Sequence, residues 1–234
     1  AHRVLVDGVG ADELDVACGA ALRRAAEKLV ALTDTPSHLP AASPDYWETP
    51  ERTLTLGVAA PVLLGLEAAA ALEREGIDLG PSAGRMAGRA AVVRLAMERA
   101  FAPDWGRHVR EEHVDAAIAL VGPPFTQALS GAQRVRADAV SRMRRESGGV
   151  APGESWRDDG VSWTPETALL AWSAAASGRS QEAERLLGWL EGHRTALGSL
   201  PEKVSAGGAP AGPAPLAWTC ALVILAALKA EPGA

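Results

Sequence analysis

Aromatic residues make up only 4% of this chain: one tyrosine, two phenylalanines and seven tryptophans. A core built mainly on rings is excluded, so packing falls to alanine, leucine and valine. Only two cysteines occur, Cys18 and Cys220, far apart and each inside an apolar helical pattern. They make no disulfide framework and no zinc cluster, and two buried free thiols are expected. The five histidines lack ligand spacing; His108 and His113, five residues apart, do not share a helix face. No metal and no cofactor are therefore expected. Clustered positive charge is missing as well. The net charge is −6 and the arginines are scattered among alanines, which argues against a nucleic-acid partner. The longest uncharged apolar run, "PLAWTCALVILAAL", is too short to span a bilayer comfortably and reads as a buried core helix, so no membrane partner is expected. No signal peptide is visible, which points to a cytoplasmic location. The opening "AHRVLVDGVG" reads as the continuation of something longer.

What the sequence does have is helical periodicity. Its 47% hydrophobic and 22% charged residues are ordinary for a globular domain. Leu14, Cys18, Leu22, Ala25, Leu29 and Leu32 recur at steps of three and four, predicting a helix. Asp12 is its expected N-cap, Asp15 lies in its first turn, and Pro36 and Pro40 stop it. "LTLGVAAPVLLGLEAAAALERE" predicts a second helix, with Pro61 either kinking it or marking its first turn. "SAGRMAGRAAVVRLAMERAF" predicts a third, and Gln127 to Arg145 a fourth. "TPETALLAWSAAASG" predicts a helix with Thr164 as N-cap and Pro165 at the first helical position. Ser180 is expected to cap the next, which ends near Gly198, and the apolar run forms the last. No strand-like alternation of useful length occurs. The long connections carry tryptophan, proline, glycine and acids, whereas the short ones are plain. This asymmetry predicts an all-α fold of helical hairpins in a ring, with the long loops on one face.

Two glutamates carry the chemical reading. "PDYWE" places Glu48 beside the rings of Tyr46 and Trp47 and the like charge of Asp45. Both influences favour a neutral carboxyl, which a general acid needs. The alternative is that the rings fill a gap and Glu48 is solvated. In "LPEKV", Pro201 restricts Leu200 to an extended conformation, so Glu202 sits on a defined loop. Lys203 favours the ionised form, suited to a general base; an ordinary solvated glutamate is the alternative. Two carboxylates in opposite environments on long loops fit glycoside hydrolysis. Trp156, Trp163 and Trp218 lie at loop–helix junctions, where a ring either stacks on a sugar face or fills the core.

Three segments in order carry a resemblance. "SPDYWETPERTLTLGVAAPVLLGLEAAA" resembles the general-acid segment of glycoside hydrolase family 15, the glucoamylase-like enzymes. "SGGVAPGESWRDDGVSWTPETALLAWSAAASG" is similar to a later loop and helix of that family, and "LGSLPEKVSAGGAPAGPAPLAWTCALVILAAL" to its closing segment. The resemblance implies an (α/α)6 toroid, the six-hairpin glycosidase fold. It covers the C-terminal half to two-thirds of the catalytic domain. Residues 1–234 are thus expected to form a single all-α domain lacking its N-terminal helices and the Arg-Asp pair that grips the terminal sugar. "VDGVG" at Asp7 resembles a loop just beyond that pair. The resemblance implies an inverting, exo-acting hydrolase that releases terminal glucose from α-glucosides or short α-glucans. Glu48 matches the general acid and Glu202 the general base, with carboxyl groups roughly 6.5–9.5 Å apart. Asp45, Tyr46, Trp47, Trp163 and Trp218 are expected to bind substrate. Arg157 stands in for an arginine that many members carry just before the acidic loop residues. A trehalase-type hydrolase of the same fold and a non-catalytic carbohydrate-binding toroid are the alternatives. An unrelated all-α interaction protein is a third.

Overall fold

The computed structural model of the chain describes Gly8 and residues 10–230. The Asp7 match lies outside these residues. Two compact units divide the chain, Ala1–Ala102 and Pro103–Ala234. Seven α-helices are present among the described residues: α1 Ala11–Thr33, α2 Leu56–Arg74, α3 Met86–Phe101, α4 Ala132–Met143, α5 Thr164–Ala176, α6 Ser180–Gly192 and α7 Ala217–Ala230. The protein is all-α in class, with strand confined to three two-residue pieces.

In the first unit, α1, α2 and α3 pack on one another. Leu14, Ala26 and Val30 form the buried stripe of α1. Its cap is Gly10 in extended conformation, not Asp12; the helix begins earlier, so Asp12 and Glu13 lie in the first turn and favour its positive end. Thr55 caps α2 by accepting a bond from the Val58 N–H. Pro61 sits inside α2 rather than in its first turn. By length and composition α2 is apolar enough to cross a membrane, a property shown by this helix and not by the shorter C-terminal run. Half of its apolar window is buried in the protein, including Leu56, Leu63 and Leu66. Gly65 permits the close approach of α1, since a Cβ there would meet Leu29 at 3.0 Å. The Arg94–Glu67 ion pair joins α2 to α3.

In the second unit α5 is the central element. Every residue from Thr164 to Ala171 is buried, and α6, α7 and the 3-10 turn Ala116–Leu120 pack around it. A helix buried all round is internal, whereas α6 buries only the stripe Ala183, Leu186 and Leu190. Arg136 of α4 is buried against α5, where it donates to the Leu170 carbonyl at 2.6 Å and to Ser173 Oγ at 3.1 Å. It also pairs with Glu182 of α6 at 2.8 Å. Burial, opposed by Glu182, lowers the Arg136 pKa to about 10.

Several expected boundaries shift. Trp163 caps α5, so Thr164 is the first helical residue; Arg179 precedes α6, so Ser180 is inside it. The helix ends at Gly192, not near Gly198. The fourth helix covers 132–143 rather than 127–145, because Gly131 at φ 77° starts it. Both cysteines are half-buried rather than buried, and both are free thiols. A small antiparallel sheet was not legible: β1 Ser162–Trp163 pairs with β2 Lys203–Val204, and β2 with β3 Pro210–Ala211. Pieces of two residues carry no periodicity.

Leu170→Ala should lower unfolding free energy by about 2–5 kcal/mol, because it leaves a cavity at the centre of the second unit. Leu228→Ala, at an exposed position of α7, should stay within about 0.5 kcal/mol. Urea unfolding followed by circular dichroism checks both; equal losses would show that α5 is not the core.

Candidate active site

The PDYWE segment folds as a tight turn in the first unit. The Asp45 carboxylate accepts the Trp47 N–H at 3.0 Å, and the Asp45 carbonyl accepts the Glu48 N–H at 2.9 Å. Glu48 is driven to φ 56°, the left-handed region that a non-glycine residue enters only when its surroundings over-determine it. Asp45, Tyr46 and Trp47 are half-buried, while Glu48 is exposed rather than enclosed by the two rings. Gly57, in the first turn of α2, makes room for this turn. A Cβ there would stand 2.6 Å from Asp45 Oδ2.

Glu202 lies in the second unit at the start of β2. Its backbone is held on both sides: its N–H donates to the Pro213 carbonyl at 2.9 Å, and its carbonyl accepts the Thr164 N–H at 3.0 Å. The Thr164 hydroxyl reaches the same carbonyl at 3.1 Å and also donates to Pro201. Lys203 Nζ pairs with Glu202 Oε2 at 3.0 Å and stands 4.5 Å above the Trp163 ring. Trp163 meets Trp156 edge to face, with ring centroids 5.7 Å apart. Arg157 lies 5.2 Å over Trp156 and pairs with Asp159 at 3.1 Å. Glu202, Trp163 and Arg157 are thus joined through Lys203 and Trp156. Gly212 at φ 73°, just after β3, bounds the carboxylate, and a Cβ there would stand 2.5 Å from Glu202 Oε2. Trp218, at the start of α7, is 43% exposed.

Sequence reasoning passed over Glu166. It lies in the first turn of α5, only 3% exposed, and its Oε2 has no hydrogen-bond partner. Burial raises its pKa to about 8; its own backbone N–H opposes this, and the charges of Asp115 and Glu202 add to it. Asp115 is itself fully buried and paired with Arg107 at 2.6 Å. The available signal was the single charge in "TPETALLAWSAAA", an otherwise uncharged helix. Among the described residues no cluster of His, Cys, Asp and Glu forms a metal site.

No protein-family model matches the chain, and no curated protein does. Solved structures do. A wild-type glycosidase is similar at TM-score 0.69 and 24% identity, over 86% of this chain and 57% of that one. A variant with glutamate replaced by alanine, in complex with glucose, is similar at TM-score 0.66 and 24% identity over the same shares. A tyrosine-to-phenylalanine variant gives 0.68 and 24%, again over 86% and 57%. The chain therefore shares the fold of these glycosidases over most of its length. It spans little more than half the length of these glycosidases.

Two outcomes follow. Glu166 is neutral in the folded protein at neutral pH but ionises in the unfolded chain above about 4.5, so the native state holds the extra proton. Its contribution to stability should fall between pH about 4.5 and 8, by on the order of a few kcal/mol, and level off above. Urea midpoints across that range should decline less for Glu166→Gln than for the wild type; parallel curves would refute the buried neutral acid. Gly212→Ala should displace the Glu202 side chain and strain β3, lowering stability by about 1–3 kcal/mol. A crystal structure of that variant with Glu202 unmoved would contradict the tight fit.

Proposed function

We propose that this protein is an inverting, exo-acting glycoside hydrolase of the glucoamylase-like family 15. In this reading it is built on the (α/α)6 toroid and releases terminal glucose from α-glucosides or short α-glucans. The observation that carries the reading is the setting of Glu202 in an all-α glycosidase fold. This carboxylate is pinned at both backbone ends, paired with Lys203, and flanked by the Trp163–Trp156 ring pair. Such a group accepts a proton from water while rings beside it meet a sugar face. The glucose bound by one similar glycosidase supports the choice of sugar.

In the mechanism, Glu202 takes a proton from a water as its oxygen bonds to the anomeric carbon. Glu48 gives its proton to the glycosidic oxygen as the carbon–oxygen bond breaks, and the anomeric configuration inverts. The strained turn fixes where the Glu48 backbone points, and Asp45 fixes the turn. In this reading Asp45, Tyr46, Trp47, Trp163, Trp218 and Arg157 are the substrate-binding residues.

Proton NMR with maltotriose, isomaltose and trehalose tests this. Early β-glucose from one of the first two sugars is expected. Glu48→Gln and Glu202→Gln should each reduce turnover by about 10²–10⁴-fold with folding intact. A variant at full rate removes that residue from the mechanism. Loss of trehalose alone would favour the trehalase-type reaction. Saturable sugar binding without release would point to a carbohydrate-binding protein.

A further inference from the structure

The N-terminus of α5 holds two polar atoms that are buried and have no hydrogen-bond partner: Glu166 Oε2 in the first turn and the indole Nε1 of the capping residue Trp163. They are the cap and the third residue of the same helix, with Thr164 and Pro165 between them. The same turn carries Thr164, whose N–H and hydroxyl hold the Glu202 carbonyl. Glu202 and these two atoms are therefore tied to one rigid piece of backbone. The charge of Glu202 also reaches Glu166.

We propose that Glu166 is a positioning residue for Glu202, acting through one buried water that bridges the two carboxyl groups. The proposal rests on the reading of Glu202 as general base. The hydrogen-bond accounting closes. One oxygen of the neutral Glu166 carboxyl accepts from its own backbone N–H, and Oε2 is left to donate its proton to the water. The Trp163 indole N–H supplies a second donor to the same water. The water then donates to the Glu202 oxygen that Lys203 does not hold. Lys203 on one oxygen and the water on the other would fix the plane of the Glu202 carboxylate. An ionised Glu166 would repel Glu202 and has no proton to give. Its neutrality follows from burial and from the charges of Asp115 and Glu202, with Arg107 and Lys203 already paired to those two acids. A buried carboxyl with an unmade bond is costly, and natural chains keep such groups mainly where a site needs them.

The experiment is a high-resolution crystal structure of the wild-type chain at about pH 6, well below the Glu166 titration, with kinetics of two variants alongside. One water within about 3.2 Å of Glu166 Oε2, Trp163 Nε1 and a Glu202 oxygen is expected. No water there, or one that touches Glu166 but not Glu202, overturns the proposal whatever the activity. If the wild type hydrolyses α-glucosides, Glu166→Leu should lower kcat by about 10²-fold with little change in KM. Glu166→Gln, which keeps a donor, should recover most of that loss. A Gln variant as slow as the Leu variant would also overturn it. A wild type that shows the bridging water but no turnover would sink the hydrolase reading and leave the water-mediated link standing.

Discussion

Thr164 is the residue on which the second unit depends. It is fully buried, and its N–H and hydroxyl bind the Glu202 segment to the start of α5. The N–H and hydroxyl hold the Glu202 carbonyl, the hydroxyl also reaches Pro201, and a hydroxyl pair at 2.9 Å links it to Thr219 of α7. Strands of two residues cannot hold a loop by themselves. The short sheet keeps its register because one end is fastened to the N-terminus of the most buried helix. Functional loops work when a rigid element positions them, and α5 is that element.

Buried charge marks the contrast between scaffold and site. Arg136 is fully buried but has a carbonyl, a hydroxyl and a carboxylate as partners, and it fastens α4 to α5 and α6. Arg107 and Asp115 neutralise each other in the interior. Such pairs are tolerated because the opposite charges compensate each other, and removing one partner of either would strand a charge. Glu166 Oε2, in the same interior, has no hydrogen-bond partner. It stands on the turn that holds Glu202.

Each candidate carboxylate also depends on a glycine that the sequence does not advertise. Gly57 leaves the space into which the Asp45 carboxylate turns, and Gly212 leaves that of Glu202. The two are far apart in sequence and in different local contexts. What they share is a side chain from another segment lying where a Cβ would be.

Helical periodicity, which local sequence encodes, determined most of the secondary structure. α1 and the mainly apolar α5 and α7 could be read as helices directly, because a period near 3.6 persists over many residues. Their burial could not: of the positions expected to form the α1 stripe only Leu14 is buried, with Ala26 and Val30 taking the rest, and α7, expected as a buried core helix, buries only Thr219, Leu222 and Ala226. The PDYWE and LPEKV segments stood out as candidates for chemistry by their composition. Caps moved by a residue or two, since Gly10, Trp163 and Arg179 take those places by backbone conformation and not by side-chain type. Only the tertiary structure decided the left-handed backbone at Glu48, the clamp of Lys203 between Glu202 and Trp163, and the isolation of Glu166. The Glu48 turn is local and hinges on the Asp45 carboxylate and carbonyl, whereas the placing of Lys203 over Trp163 and the burial of Glu166 come from groups distant in sequence, and a charge is shifted or stabilised by whatever stands near it in three dimensions.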